Sequence, residues 1–357
     1  MKRLMLLLMA ALLASCGSPA VFERPVMEMP EGTARTSPVG TGWWRIFNDR
    51  ALDRLEEKAV AHNRDLVRAA ALVDQASALA AQAGSAMLPR AELEAGASSE
   101  ELSEGERYMN NLPDRARDLW SMSGVLSYEV DLWGKLRART EVARAELLAS
   151  AAARDAVYLR LTAEVASAYI NVRTWEEKCL IIRRVHASYE QTCAMYEKRF
   201  VQGQYPELAL RRVQAERSKT LAQLRLSENE LSRAESVLSV LVGDSPRQVM
   251  KGGRPGGGNA ALLASPPVIP ARLPGDMIER RPDIWELESR LKAAFYGREA
   301  ARKDRFPSLV LTGQLGQVST QLNELLNQSS RNYELGAGIL QTLFDGGRTV
   351  SYTHLTL

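Results

Sequence analysis

Leu161, Val165, Ala168, Val172, Trp175, Cys179, Ile182, His186, Tyr189, Cys193, Tyr196 and Phe200 follow one another in alternating steps of four and three. All but His186 are apolar or small. A repeat of 3.5 residues keeps one seam of a helix turned toward a partner helix. Between Arg137 and Phe200 there is no proline or glycine, so a single helix of roughly 95 Å is allowed at 1.5 Å per residue. Gly203-Gln204-Tyr205-Pro206 then breaks the pattern, with proline placed to open a new helix. The return arm carries Leu210, Val213, Thr220, Leu224, Leu231, Ala234, Leu238 and Leu241 on the same alternation, with Arg217 and Ser227 as weaker members. Gly243 and Pro246 end it. Residues 137–243 are therefore predicted to form an antiparallel helical hairpin, a rod far longer than a compact core needs.

Outward from the hairpin the period changes. Ala91, Leu93, Ala95 and Ala97 alternate with Glu92, Glu94, Gly96 and Ser98. Trp120, Met122, Leu126, Tyr128, Val130 and Leu132 alternate with Ser121, Ser123, Ser127, Glu129 and Asp131. A period of two means strand, predicted over 91–99 and 120–132, with a charged loop between. Two further strands are predicted over 308–317 and 333–343, where Leu309, Leu311, Leu315, Tyr333, Leu335, Ala337 and Ile339 mark one face. Ribbons of about ten residues with one apolar and one polar face match membrane β-barrel segments. Open strand edges cannot sit in lipid, and the smallest barrels have about eight strands. If these four are in a membrane, several copies must share one barrel. An amphipathic sheet packed on its own helices in solution is the other reading. If the polar face lines a lumen, Glu92, Glu94 and Glu129 give a wet, cation-tolerant pore; otherwise they are solvated.

The chain repeats itself. Asn63-Arg64-Asp65-Leu66 aligns with Arg281-Pro282-Asp283-Ile284, and the same offset pairs Pro89 with Pro307 and Leu93 with Leu311. In each copy a helix runs into a proline and then a strand; the first such helix is predicted from Ala51 to about Met87. Leu132-Trp133-Gly134-Lys135-Leu136-Arg137 answers to Leu343-Phe344-Asp345-Gly346-Gly347-Arg348. The organisation read from this is a first repeat over 43–245, a Gly/Pro-rich linker over 246–275 and a second repeat over 276–349. The second repeat is incomplete, and residues 350–357 have no heptad character. By analogy with the first copy, a second hairpin of roughly a hundred residues is expected beyond it. Residues 16–357 alone are accordingly expected to leave a tunnel unsealed.

Formal charge is +3, with Lys2 and Arg3 the only charged residues before Cys16. Basic and acidic residues are interspersed, with no clustered basic surface for nucleic acid. Residues 1–15 combine a basic start with a short apolar run and read as an export signal; 16–42 read as an extended leader. Small residues before Cys16 resemble the bacterial lipoprotein signal, which implies a covalent lipid on that cysteine. Gly17, where an aspartate often retains such proteins in the inner membrane, favours the outer one. Cys179 and Cys193 sit in the seam about 21 Å apart, too far for a disulfide, so packing is their reading. His62, His186 and His354 have no ligand spacing, and the glycine run 252–258 lacks the surroundings of a phosphate loop. No constellation supports an enzyme, a metal centre or a cofactor.

Leu273-Pro274, Ile278-Glu279-Arg280-Arg281-Pro282-Asp283-Ile284, Phe306-Pro307-Ser308-Leu309, Leu343–Arg348 and Tyr128–Arg137 resemble the outer-membrane efflux family, TolC-like, in its NodT/OprM lipoprotein branch. The fold class is thus an α+β membrane protein with long coiled-coil helices and four strands per chain. The resemblance implies a homotrimer sharing one β-barrel in outer-membrane lipid and a helical tunnel crossing the periplasm. It also implies a periplasmic adaptor and an inner-membrane pump as partners. Gly203, Gln204, Tyr205, Pro206 and Glu207 then correspond to the tunnel tip that meets the adaptor, although Pro206 and Ala209 stand where serine and aspartate are usual. The function implied is a passive export duct. The competing class is a structural coiled-coil periplasmic lipoprotein or adaptor without a pore.

Overall fold

The computed structural model describes residues 21–23, 42–101, 103–105, 116–243 and 280–347. A 3-10 turn, Trp43–Phe47, precedes α1 (Arg50–His62), α2 (Arg64–Ser85), β1 (Arg90–Glu101) and β2 (Ala116–Val130). There follow α3 (Lys135–Val201), α4 (Glu207–Val242), α5 (Pro282–Lys303), β3 (Ser308–Ser319) and β4 (Arg331–Leu340). They fall into two compact units, one drawn from Met1–Met27, Val73–Ser150 and Glu286–Leu357, the other from Glu28–Leu72 and Ala151–Trp285. The signal segment, most of the leader, the linker and the end at 350–357 predicted from sequence lie outside the described residues, as does Cys16.

The first unit holds an antiparallel sheet in the order β1-β2-β3-β4. Its register pairs Leu93 with Gly124, Gly124 with Leu315 and Leu315 with Tyr333, so the predicted apolar positions of all four strands share one face. Glu94, Ser123, Gly316 and Asn332 form a row on the other. Gly316 is required by close approach: a methyl group there would lie 2.7 Å from Ser123 Cβ and 2.9 Å from the Met122 carbonyl oxygen. Below the strands, Asp131 accepts from the Leu136 and Arg137 amides at 3.0 and 3.1 Å and so caps α3. Trp133 stacks on Phe306 at 5.0 Å and donates Nε1–H to the Pro307 carbonyl at 2.8 Å. Arg139 grips both oxygens of Asp304, at 3.0 and 3.1 Å. Cap, stack and ion pair thus fix the point where strand becomes helix.

The second unit holds α1 and the hairpin from Ala151 onward, with α1 packed on α4. Between Cys179 and Tyr196 the predicted seam positions are buried or half-buried, while the flanking positions, Thr192 excepted, are exposed. On the return arm Leu210, Thr220, Leu224, Ser227, Leu231, Ala234 and Leu238 are buried as the alternation predicts, and Ser239 and Val242, outside it, are buried as well. Cys179 and Cys193 are buried free thiols, as the packing reading requires. His186, half-buried, approaches the Thr220 hydroxyl at 3.4 Å and Glu190 at 3.5 Å. At the root, Trp44, Leu52, Ala59, Leu161, Val165, Tyr169, Val172, Leu231, Leu238 and Val242 form one apolar cluster. Asp49 caps α1 by accepting from the Ala51 amide at 2.8 Å, and its other oxygen accepts the Tyr169 hydroxyl at 2.8 Å. Burial and that carboxylate push the Tyr169 phenol up. A hydrogen bond to a charged group contributes about 1.5–3 kcal/mol. Tyr169→Phe is therefore expected to lower stability by about 2 kcal/mol at neutral pH, measured by thermal unfolding in detergent, and an unchanged midpoint would remove this bond from the account.

Three predicted boundaries need correction, the first being β2, which spans Ala116–Val130 rather than 120–132. The alanine-rich segment from Ala51 to Met87 is two helices, not one, because Asn63 leaves helical geometry at ψ 127. Its Oδ1 accepts from the Asp65 and Leu66 amides at 2.9 and 3.1 Å, which caps α2. The last strand is also displaced: β4 spans Arg331–Leu340 rather than 333–343, because Leu340 is the last residue that finds a partner, Ser308.

Candidate pore lining and docking tip

The pore candidates follow from the pleat. Alternation puts Glu92, Glu94 and Glu129 on the polar face of the sheet, together with Ser121, Ser123, Ser127, Thr312 and Gln314. Sequence reading missed a fourth member, Glu334, which pairs with Gln314 and lies in the row of Val125 and Glu92. Its place in the alternation with Tyr333 and Leu335 was the signal available. The acids differ in their partners: Glu92 is ion-paired with Arg90 and Glu129 with Lys135. The opposite face exposes Leu93, Met122, Leu126, Leu315, Tyr333, Leu335 and Ile339. A sheet with a greasy face and a wet face on alternate residues suits lipid on one side and water on the other.

The tip is a tight turn between α3 and α4. Gly203 takes φ 73, and the Gln204 amide donates back to the Arg199 carbonyl at 2.9 Å. A side chain at that φ is strained, so glycine is needed. Pro206 caps α4 with φ −73, which its ring fixes in advance. Tyr205 is held by a brace that the sequence did not reveal. Its ring lies 4.8 Å from that of Tyr196, and Arg199 covers it while donating to its hydroxyl at 3.2 Å. Glu207 is tied to Arg211 on its own helix at 3.2 Å. Among the residues the tip exposes are two large apolar ones, Val201 at 84% and Leu208 at 63%, with Gln202 and Glu207 also exposed. Gln204 is exposed beside them.

Among the described residues, no group of three or more histidines, cysteines, aspartates or glutamates could hold a metal. No described helix is long and apolar enough to cross a membrane.

A family model described as "Outer membrane efflux protein" matches residues 55–244 and 273–356. The probable outer membrane lipoprotein SilC of Salmonella typhimurium is 30% identical over 94% of this chain and 73% of its own length. The pyoverdine export outer membrane protein OpmQ of Pseudomonas aeruginosa is 30% identical over 98% of this chain and 74% of its own. Among solved structures, a crystal structure of CusC, reported for folding and transmembrane channel formation, superposes with a TM-score of 0.77. It is 26% identical and covers 92% of this chain and 76% of that one.

Proposed function

Because the chain belongs to the outer membrane efflux protein family, we propose that three copies close their sheets into one water-filled barrel through which solutes leave the cell passively. Location in the outer membrane and a part in efflux come with the family; the trimer, the route and the partners are the proposal. One observation carries it. The sheet has an apolar and a polar face, yet it ends in β1 and β4, each of which pairs with only one described strand. Unpaired edges are not tolerated in hydrocarbon, and four strands fall short of the roughly eight that the smallest barrels need. Pooling strands between copies satisfies both constraints.

In this reading α3 and α4 form the wall of the duct in the periplasm. The apolar rim at Val201 and Leu208, with Gln204 and the braced Tyr205, docks a periplasmic adaptor, which connects the duct to an inner-membrane pump. The energy and the choice of cargo belong to the pump; this chain contributes no catalytic step and no cofactor. A lipid on Cys16 anchors the leader to the membrane. Purified protein is expected to migrate as an oligomer that heat converts to monomer, and to conduct ions in planar bilayers. Recovery of a non-conducting monomer from the soluble periplasmic fraction would instead favour a coiled-coil lipoprotein without a pore.

A further inference from the structure

The leader touches the folded body at Phe22. Its ring meets that of Phe295 on α5 edge to face, with centroids 5.6 Å apart and planes at 67°, an arrangement in which aromatic rings attract. Both rings are half-buried, while Val21 and Glu23 on either side of Phe22 are exposed, so the ring rather than its neighbours makes the attachment. Phe295 is steadied in turn by Tyr296, ring centroid 5.3 Å away, and by the Arg298 guanidinium, 6.0 Å over its face. Residues up to Met27 and α5 from Glu286 onward belong to the same compact unit.

This contact lies at a set distance from the sheet. From Phe295 to Lys303, where α5 ends, the helix climbs about 12 Å at 1.5 Å per residue. The turn that follows carries Phe306, exposed and stacked on Trp133, and β3 then opens at Ser308. Aromatic side chains at the ends of amphipathic strands mark the edge of the hydrocarbon in membrane barrels. Phe22 is the sixth residue after Cys16, and six residues reach at most about 20–22 Å. The reach therefore exceeds the climb by no more than about 10 Å.

We propose that Phe22 pins the leader to α5 at Phe295, and that this pin fixes the level and the side of the barrel at which a lipid on Cys16 enters the bilayer. The inference rests on the lipid reading of Cys16 above. A leader that was only a tether would let the anchor wander over the whole span of residues 16–42. Pinned at Phe22, it confines the anchor to the strip of membrane beside the junction of α5 and β3. One aromatic pair is a weak hold compared with acyl chains in a bilayer. A leader too short for both gives up the pin and keeps the lipid.

The test places the photo-cross-linking residue p-benzoylphenylalanine at position 22 of the full chain and maps its product in cell envelopes by mass spectrometry. The parent is expected to link to the α5 peptide that contains Phe295. Deleting Pro19-Ala20-Val21 leaves Cys16-Gly17-Ser18 intact and cuts the reach to about 10–11 Å, short of the climb. The cross-link is then expected to fall several-fold. In a chain carrying Cys16→Ser behind an ordinary cleavable signal, the same deletion is expected to leave the cross-link unchanged, because nothing pulls on the leader. A parent that links elsewhere or not at all overturns the pin. A shortened lipid-bearing chain that links as the parent does overturns the shared reach, and so does loss of the link from both shortened forms. Absence of labelled palmitate from the parent overturns the anchor and the level assigned to it, while the parent's cross-link still decides the pin.

Discussion

Replacing Glu56 by glutamine is expected to stabilise the hairpin root by about 3 kcal/mol at pH 7. Glu56 lies on α1 between Leu52 and Ala59, and all three are 0% exposed. Helix α1 packs against α4, so the carboxyl is enclosed, and among the described residues neither of its oxygens has a hydrogen-bond partner. Burial first, and the neighbouring Asp53 second, push it from the ordinary 4.5 up to about 8. A charge without partners is costly in such a place, and the group keeps its proton instead. The unfolded chain releases that proton near 4.5, so between 4.5 and 8 the folded state holds one proton more than the unfolded state. Stability therefore falls as pH rises through that window, by about 1.4 kcal/mol per unit. Below it both states are protonated and Glu56 costs almost nothing relative to glutamine. Thermal midpoints of the parent and Glu56→Gln, taken at pH 5, 7 and 8.5, should diverge steadily. Parallel profiles would mean that the carboxyl is solvated, and would sink this account of the root.

The second large effect concerns the sheet. Gly316→Ala places a methyl group 2.7 Å from Ser123 Cβ and 2.9 Å from the Met122 carbonyl oxygen. Ser123 Cβ is fixed to its own backbone and the Met122 carbonyl is ladder backbone, so both can move only by parting β2 from β3. Overpacking of this kind costs about 1–3 kcal/mol, and more where backbone must shift. Every copy in the oligomer carries the same fault, so heat-modifiable oligomer should be nearly lost from membranes while the helical content of the chain is kept. Ser123→Gly on the same chain removes the nearer clash but not the carbonyl, and is expected to restore part of the oligomer. Full assembly of Gly316→Ala alone would show that the two strands are not held at this spacing.

The hairpin was legible because a 3.5-residue repeat has one solution, and the buried positions from Cys179 to Tyr196 follow it. Alternation likewise placed four strands and both of their faces. The break at Asn63 was not legible: the sequence around it is good helix former on both sides, and one side chain reaching the Asp65 and Leu66 amides decides the matter. Nor could the pattern tell a matched carboxylate from a free one. Arg90 opens the strand that carries Glu92, but Lys135 reaches Glu129 from the first turn of the next helix. At the tip the turn residues were read correctly, whereas Arg199 and Tyr196, which brace Tyr205, lie back on a helix whose pattern suggested only packing.

The bare margins of β1 and β4 carry a genetic consequence. A subunit spoiled in either margin still offers its sound margin to a healthy neighbour, and so enters rings that it cannot complete. In a cell making both kinds, such an allele should behave as a dominant inhibitor of export, whereas a subunit that never reaches the membrane should be recessive.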